Sequence, residues 1–545
     1  MLKSLRISHL LLLLLLLLGM HASQASHFLG GQLTYTAVAG VPNRYKFTLR
    51  VYRDCSGAAL YTTATFKFRS GGCVAASGDP ADIVAPLVGG STIGSDYCAT
   101  AVGGASPCGV GLPTNYETGR YEVEITLPPR AEWRISATDN ARPETANIVG
   151  QDNIYYEAVL RNSLAGQVIT NNSASFATIQ TQFVGYNLNT TFSHLAVDAD
   201  GDSLVYSLVQ PLGNCNDPLA YKNIGIGTQG YIDISAGGPP CLASLTGGNV
   251  YTPTFPLASY NFTGSCPVKT AVPYFLFDSA MGSMSFKPIL YNPGNTTADQ
   301  ATNKYVVVVK VDEYRRLNGT YTLVGSTRRD MMFIVVDCGT NQNPTLAPLR
   351  INNSSATTPI NTVIPVTAGQ LVNLQLAGTD ANNTQIVTMT SNAEQVLPNA
   401  DFVASGPSAQ PTAVLNWLPP ANLRPGLYYC TVTTTDNACP IKGTTQQTLT
   451  FRVTNTTLAT KNARNATPLA AVPTPFRGHV SFTLAQPGVQ TVQIFDRLGR
   501  QVAELKSRPT GEVVWQPGTE VAAGLYLARS SDGRQVARLL RTDAE

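Results

Sequence analysis

Charge is what this sequence has least of. Asp, Glu, Lys and Arg make up 13% of its 545 residues, about half the usual share for a globular protein. Lys plus Arg number 37 and Asp plus Glu 34, a net of +3, so there is no surplus from which to build the dense basic face of a nucleic-acid binder. Histidine is scarce as well, with five in the chain. His-Glu-x-x-His, Gly-x-Ser-x-Gly and a phosphate loop ending in Gly-Lys-Ser or Gly-Lys-Thr are all missing, which removes the usual signatures of metalloproteases, serine hydrolases and nucleotide-binding enzymes. No Cys-x-x-Cys occurs, and after Leu10 to Leu18 no apolar run reaches the roughly 18 residues that span a bilayer. What is abundant is turn and strand chemistry: 46 Gly, 35 Pro and 23 Tyr among many Thr, Ser, Asn and Val. Such a composition reads as many short strands joined by turns, and it argues against a helical fold.

The first 25 residues read as a signal peptide. Lys3 and Arg6 form a basic start, Leu10 to Leu18 an apolar centre, and Ser23-Gln24-Ala25 a small-residue cleavage site with the cut after Ala25. Losing Lys3 and Arg6 takes the formal charge from +3 to +1, so a nearly neutral mature chain would steer partners only weakly. Ten cysteines survive the cut, grouped as Cys55, Cys73, Cys98, Cys108, then Cys215, Cys241, Cys266, Cys338, then Cys430 and Cys439. An even count in an exported chain predicts disulfides. Cys430 and Cys439 flank a Thr-Asp-Asn turn and are the expected pair; pairing among the other eight stays open.

Organisation follows from hydrophobic periodicity. Tyr45, Phe47, Leu49 and Val51 alternate onto one face, as do the apolar residues of Tyr121 to Leu127, which defines half-buried strands in a disulfide-containing N-terminal domain over 26–168. Residues 71 to 111 have little periodicity and read as long loops. A second unit, 169–340, carries Leu204 to Val209, Tyr274 to Phe277, Tyr305 to Val311 and Met332 to Val336. A third, 341–456, carries Leu371 to Leu376, Val414 to Trp417, Leu427 to Tyr429 and Leu449 to Val453, a length suited to a seven-strand sandwich. These two units resemble each other internally, with Leu195 to Val205 laid over Ala377 to Val387 and Asp198 over Asp380. A linker, 457–467, leads to a compact all-β unit, 468–545, with Phe482 and Leu484, Val492 and Ile494, Val513 and Trp515, and Leu525 and Leu527 as its inward sets. The fold class is therefore all-β, with tandem immunoglobulin-like or cadherin-like β-sandwich modules and a small C-terminal β-sandwich.

Little in the chain carries chemistry. Asp198-Ala199-Asp200-Gly201-Asp202 alternates three carboxylates along a tight loop, a pattern that either binds a hard cation, for which calcium is the candidate, or forms a plain turn with its charges in water. The spacing is not that of an EF-hand, and the copy at Asp380 keeps only Asn382 and Asn383 beside it. After cleavage His27, His194 and His479 remain, each in a different unit, so no triad is expected; His194 reads as a packed residue. Glu122 and Glu124 share a strand face that should meet solvent. Trp133, Trp417 and Trp515 read as core anchors. Arg315-Arg316 and Arg328-Arg329-Asp330 flank the strand Tyr321 to Val324 and are expected to pair with Asp312, Glu313 and Asp330 across a hairpin.

Two family resemblances follow from longer runs. Ala25 to Tyr35 with Leu49 to Cys55, Asp198 to Leu208, Lys304 to Arg315, and Arg328 to Cys338 resemble large surface proteins of Bacteroidetes labelled gliding-motility-associated, over about 26–455. Pro473-Thr474-Pro475-Phe476, Ser481 to Leu484, Val492 to Val502 and Ala523 to Leu527 resemble the C-terminal sorting domain of the type IX secretion system. That domain usually opens Pro-Asn-Pro-Phe, so Thr474 is a departure, and the chain continues past Leu540 to an acidic end. The resemblance implies export by the type IX machinery and a place in the medium or on the outer cell surface. Together these features describe a non-enzymatic structural or adhesion protein without a transmembrane span in its mature form, with surface polysaccharide or other surface proteins as partners and no nucleic acid. The alternative is a secreted hydrolase or carbohydrate-binding protein with its site in the N-terminal loops.

Overall fold

The computed structural model describes residues 28–542 except 56, 58, 96, 103–107, 109–114, 165, 177–181, 226–229, 236–237, 247–248, 295 and 456–466. The signal peptide, His27 and nearly all of the linker lie outside the described residues. No helix among these residues is long and apolar enough to cross a membrane, which says nothing of a β-barrel. The chain divides after Thr454 into two compact units, and both are built almost wholly of strands.

The first unit is organised by one hairpin. Lys304–Leu317 and Thr320–Val336 pair antiparallel in register from Lys304 opposite Ile334 to Leu317 opposite Thr320. Asn318 and Gly319 turn it with φ of 49° and 87°, the two left-handed residues that a tight turn matched to strand twist requires. Both faces of the hairpin are buried. Val307, Val309, Val311, Met331, Phe333 and Val335 enter one core, while Val306, Val308, Met332 and Ile334 enter another, which explains an apolar run without alternation. Thr320–Val336 then continues sideways: Thr327 lies opposite Ala158, and Gly31 lies opposite Asp330. A single twelve-stranded sheet thus draws on both 26–168 and 169–340. A boundary at 168 does not divide it, because hydrogen bonding across a sheet is indifferent to separation along the chain. The Gly30–Gly31 start of Phe28–Ala37 has its place here, since a Cβ on Gly30 would run into the carbonyl of Asp330.

The predicted alternation of Tyr45, Phe47, Leu49 and Val51 holds, each at most 1% exposed in a core shared with Trp133. Glu122 and Glu124 face outward and meet cations on the neighbouring strand, Lys46 at 2.8 Å and Arg44 at 3.3 Å.

Residues 345–454 form a sandwich. One sheet holds Leu349–Ile351, Val372–Thr379, Thr412–Trp417 and Ala400–Ala404; the other holds Ile364–Thr367, Thr444–Thr454, Gly426–Thr435 and Thr388–Ser391. Their inner faces meet around Leu374, Leu415, Trp417, Val432 and Phe451, and Trp417 Nε1 donates to the Pro398 carbonyl at 3.0 Å.

The second unit is a smaller sandwich of a five-stranded and a three-stranded sheet around Val480, Phe482, Val492, Ile494, Val513 and Trp515. One expected inward set is reversed. Leu525 and Leu527 are 48% and 40% exposed, while Tyr526 and Ala528 are buried. In Gly524–Ser530 apolar residues stand on both faces, so period two alone does not say which face is the core, and a slip of one residue exchanges them.

The disulfides also depart from expectation. Cys55 pairs with Cys108, Cys73 with Cys215, Cys98 with Cys439 and Cys241 with Cys266; Cys338 and Cys430 are buried free thiols. The Cys430–Cys439 pair is therefore incorrect. Cys430 sits in Gly426–Thr435 on the same inward face as Val432, both 0% exposed, and burial pushes its thiol up to about 12. Cys439 lies beyond that strand, where Cys98 N donates to the Pro440 carbonyl at 2.8 Å and aligns the two loops. The two cysteines are nine residues apart in sequence, but one is in the sandwich core and the other is in the loop that follows its strand.

Candidate functional site

The acidic loop folds as expected locally. Asp198 Oδ1 accepts the backbone N–H groups of Asp200 and Asp202, each at 2.9 Å, the side-chain-to-backbone turn that short acidic residues favour. Carboxylate oxygens of Asp198, Asp200 and Asp202 lie within 4.8 Å of one another, close enough for one divalent cation. A cation is already supplied by the chain. Arg315 donates Nε to Asp202 Oδ1 at 2.7 Å, and its Nη2 reaches Asp202 Oδ2 at 2.7 Å and Asp200 Oδ2 at 2.8 Å. Asn172 donates its backbone N–H and Nδ2 to Asp200 at 2.7 and 2.8 Å. Asp198 Oδ2 is the one oxygen of the three carboxylates that is buried without a hydrogen-bond partner among the described residues. Calcium takes six to eight oxygen ligands, so in this arrangement the three residues fit an ion poorly: Arg315 holds the place it would take.

Beneath the loop lies Glu313, a residue that sequence reasoning paired only across the hairpin. It is 0% exposed, and it accepts from Ala174 N and Asn171 Nδ2, each at 2.7 Å. Gly325 stands opposite Glu313, just before the register shifts by one residue. A Cβ on Gly325 would strike Glu313, the Tyr35 hydroxyl and Asn171. The bulge aims the carboxyl inward, and glycine makes the room for it. Burial pushes Glu313 up to about 8 and Asp198 up to about 6, while the hydrogen bonds it donates to Asp202 hold the Arg315 guanidinium above its ordinary value.

The sandwich at 345–454 repeats this plan with less charge. Asp380 Oδ1 accepts Asn382 N at 2.7 Å, and Asn382 Oδ1 accepts Gln342 N at 2.8 Å. Asn341 Nδ2 donates to buried Asp436 at 3.0 Å, as Asn171 does to Glu313. Gln385 donates to Asn341 Oδ1 at 2.7 Å, where Arg315 donates to Asn171 Oδ1 at 2.6 Å. A Cβ on Gly443 would strike Asp436 and Asn341, the counterpart of Gly325. The aligned pair Asp198 and Asp380 was legible in sequence. The buried acid, its asparagine and its glycine were not, because they come from segments of different spacing in the two copies.

Among the described residues, no ion pair of the other charged runs crosses their hairpin. Asp330 takes a bidentate bond from Arg142, at 2.9 and 2.7 Å, and Arg329 lies 4.8 Å from the centre of the Phe176 ring. Lys310 meets Asp312 at 2.8 Å. His194 is 0% exposed with neither ring nitrogen hydrogen-bonded among the described residues, and burial followed by the charge of Arg329 holds it well below the ordinary imidazole range. His479 is exposed. Two clefts stand out, one under the turn at Val38–Asn43 and one floored by Arg329; neither is lined by described residues of 71–111.

The raised carboxyls predict a pH dependence. A folded pKa above the unfolded one means that the folded state binds the proton more tightly, so this contribution is complete below the ordinary value of 4.5 and fades as pH rises toward about 8. Thermal melting should show the first unit losing stability from pH 5 to pH 8, and Glu313→Gln should flatten that slope; an unchanged slope in the variant would mean that Glu313 is not the titrating group.

No family model matches the chain, and no curated protein matches it. Among solved structures it is similar to the N-terminal four Ig domains of Dscam1 isoform 9.44, with 11% identity over 96% of this chain and 100% of that one at a TM-score of 0.20. It is also similar to a structure on the basis of Dscam isoform specificity, with 10% identity over 96% and 100% at 0.18, and to domains A168–A170 of titin, with 10% over 68% and 99% at 0.15. With scores this low the likeness carries no argument about this chain.

Proposed function

We propose that this chain is a non-enzymatic structural or adhesion protein of the outer cell surface or medium, exported through the type IX secretion machinery. The observation that carries it is the covalent framework. Cys73–Cys215 and Cys98–Cys439 join residues 142 and 341 positions apart, and such bridges persist where the surroundings are oxidising. A cross-linked all-β body suits display and load-bearing, with surface polysaccharide or other surface proteins as its partners. The resemblance of 468–545 to a sorting domain supports the export route, and the separate packing of that unit agrees with a removable tag.

Deleting 468–545 should leave the protein in the periplasm; normal surface display of the truncated chain would refute the route. Mass spectrometry of the mature surface form should find a start after Ala25 and show whether the last unit is retained.

Calcium at Asp198, Asp200 and Asp202 requires Arg315 to move aside. Arg315→Met should cost about 2 kcal/mol through its lost charged hydrogen bonds, and millimolar calcium should restore the melting temperature of the variant while moving the parent little. No calcium response in either protein would mean that the loop is a turn held by arginine alone.

A further inference from the structure

The outward set in Gly524–Ser530 belongs to an apolar corner of the second unit. Leu525 and Leu527 point away from the core that takes Tyr526 and Ala528. On Gln535–Arg541, Leu540 stands opposite Leu525 and Arg538 opposite Leu527. Phe495 flanks Leu527 on the other side, at the end of Thr491–Phe495, so the turn that follows Phe495 lies at the same end of the sheet. Asp496 Oδ1 holds that turn by accepting Leu498 N at 2.9 Å and Arg500 N at 3.0 Å, and Gly499 takes the left-handed φ of 78° it needs. Leu498 is 69% exposed and Leu540 41%, which gathers four leucines in solvent at one end of one sheet. Single exposed leucines are ordinary surface; a cluster marks an interaction site.

Positive charge accompanies the cluster. Arg500 is paired with Asp496 at 2.8 Å, but Arg497 and Arg538 are exposed and have no hydrogen bond or ion pair among the described residues. From Asn455 onward there are 11 Lys or Arg against 7 Asp or Glu, whereas 26–454 has 24 against 27, so the positive surplus of the mature chain belongs to this unit. Leucines beside free guanidinium groups match the boundary of an anionic bilayer, where the leucines enter the acyl layer and the arginines stay at the phosphates. A fluid layer needs no preformed pocket to receive a leucine that projects from a turn. A second copy is a poor occupant, because two such faces docked about a two-fold axis would set guanidinium groups against guanidinium groups.

We propose that this corner of the second unit docks on a bilayer surface rich in anionic phospholipid, with Leu498 and Leu527 inserted and Arg497 and Arg538 at the phosphates. The export route takes no part in this docking, so either can fail alone.

The test is vesicle sedimentation of the chain that starts at Ser26, which keeps Leu10 to Leu18 out of the measurement. Partitioning onto phosphatidylcholine vesicles with about one-third phosphatidylglycerol should exceed that onto phosphatidylcholine alone by about tenfold or more, and high salt should remove most of the difference. Leu498→Ser should weaken partitioning about tenfold, and Arg538→Gln about fivefold. Val472→Ser, at a position 65% exposed on the other sheet of the unit, should change nothing. All three sites are exposed, so melting temperatures should stay near the parent's. Equal partitioning on neutral and anionic vesicles, no partitioning on either, or unchanged partitioning in both Leu498→Ser and Arg538→Gln would overturn the proposal. So would a dimer in sedimentation equilibrium that Leu527→Ser dissolves, because a second copy would then cover the face.

Discussion

Arg142→Met is expected to lower the stability of the first unit by about 3–5 kcal/mol, the usual result of leaving one member of a buried ion pair alone. The Arg142 side chain is 0% exposed and that of Asp330 6%, and their bidentate bond joins the loop after Trp133–Asp139 to the central strand Thr320–Val336. Without the guanidinium, Asp330 keeps its place opposite Gly31 and loses its bidentate partner in a buried position. Arg142→Met combined with Asp330→Leu should recover much of the loss, because replacing both charges removes the desolvation cost along with the attraction. Chemical denaturation of the three variants gives the answer. A single variant within about 1 kcal/mol of the parent would show that Asp330 finds another partner.

Cys98→Ser should cost about 4–5 kcal/mol, since closing a loop of several hundred residues restrains the unfolded chain more than a short bridge does. Cys439→Ser should match it, and the double variant should cost no more than either alone. Alkylation of the denatured, unreduced chain should label Cys338 and Cys430 and leave Cys98 and Cys439 unlabelled. Label on Cys98 with none on Cys430 would restore the local pair expected from spacing.

These two contacts show where sequence reading stops. Arg142 and Asp330 are 188 residues apart, and Cys98 and Cys439 are 341 apart. Each residue was visible as a charge or a thiol, and nothing local chooses its partner. Local chemistry was legible where the partner is the backbone nearby. Asp198 does accept from Asp200 and Asp202, Tyr45 to Val51 does alternate, and Trp133 and Trp417 are buried with their ring N–H groups bonded to the Pro128 and Pro398 carbonyls. The turn at Asn318–Gly319 was equally legible from its residue pair, which sequence reasoning passed over in favour of the charges around it. The acidic loop marks the limit of the method. Its three carboxylates suggested an external cation, and the tertiary fold brought Arg315 from more than 110 positions away to occupy that role.

By itself, the sequence determined an all-β chain, low in charge and rich in turns. Strand periodicity, turn chemistry and composition act over a few residues, and so they survive without knowledge of the fold. Tertiary structure alone decided that 26–168 and 169–340 share one sheet, which cysteines remain thiols, and which charges meet across long stretches of sequence. The physical reason is the same in each case. A buried charge or an unpaired strand edge must be satisfied by whatever group the packing brings within about 3 Å, and that group is chosen by the whole chain.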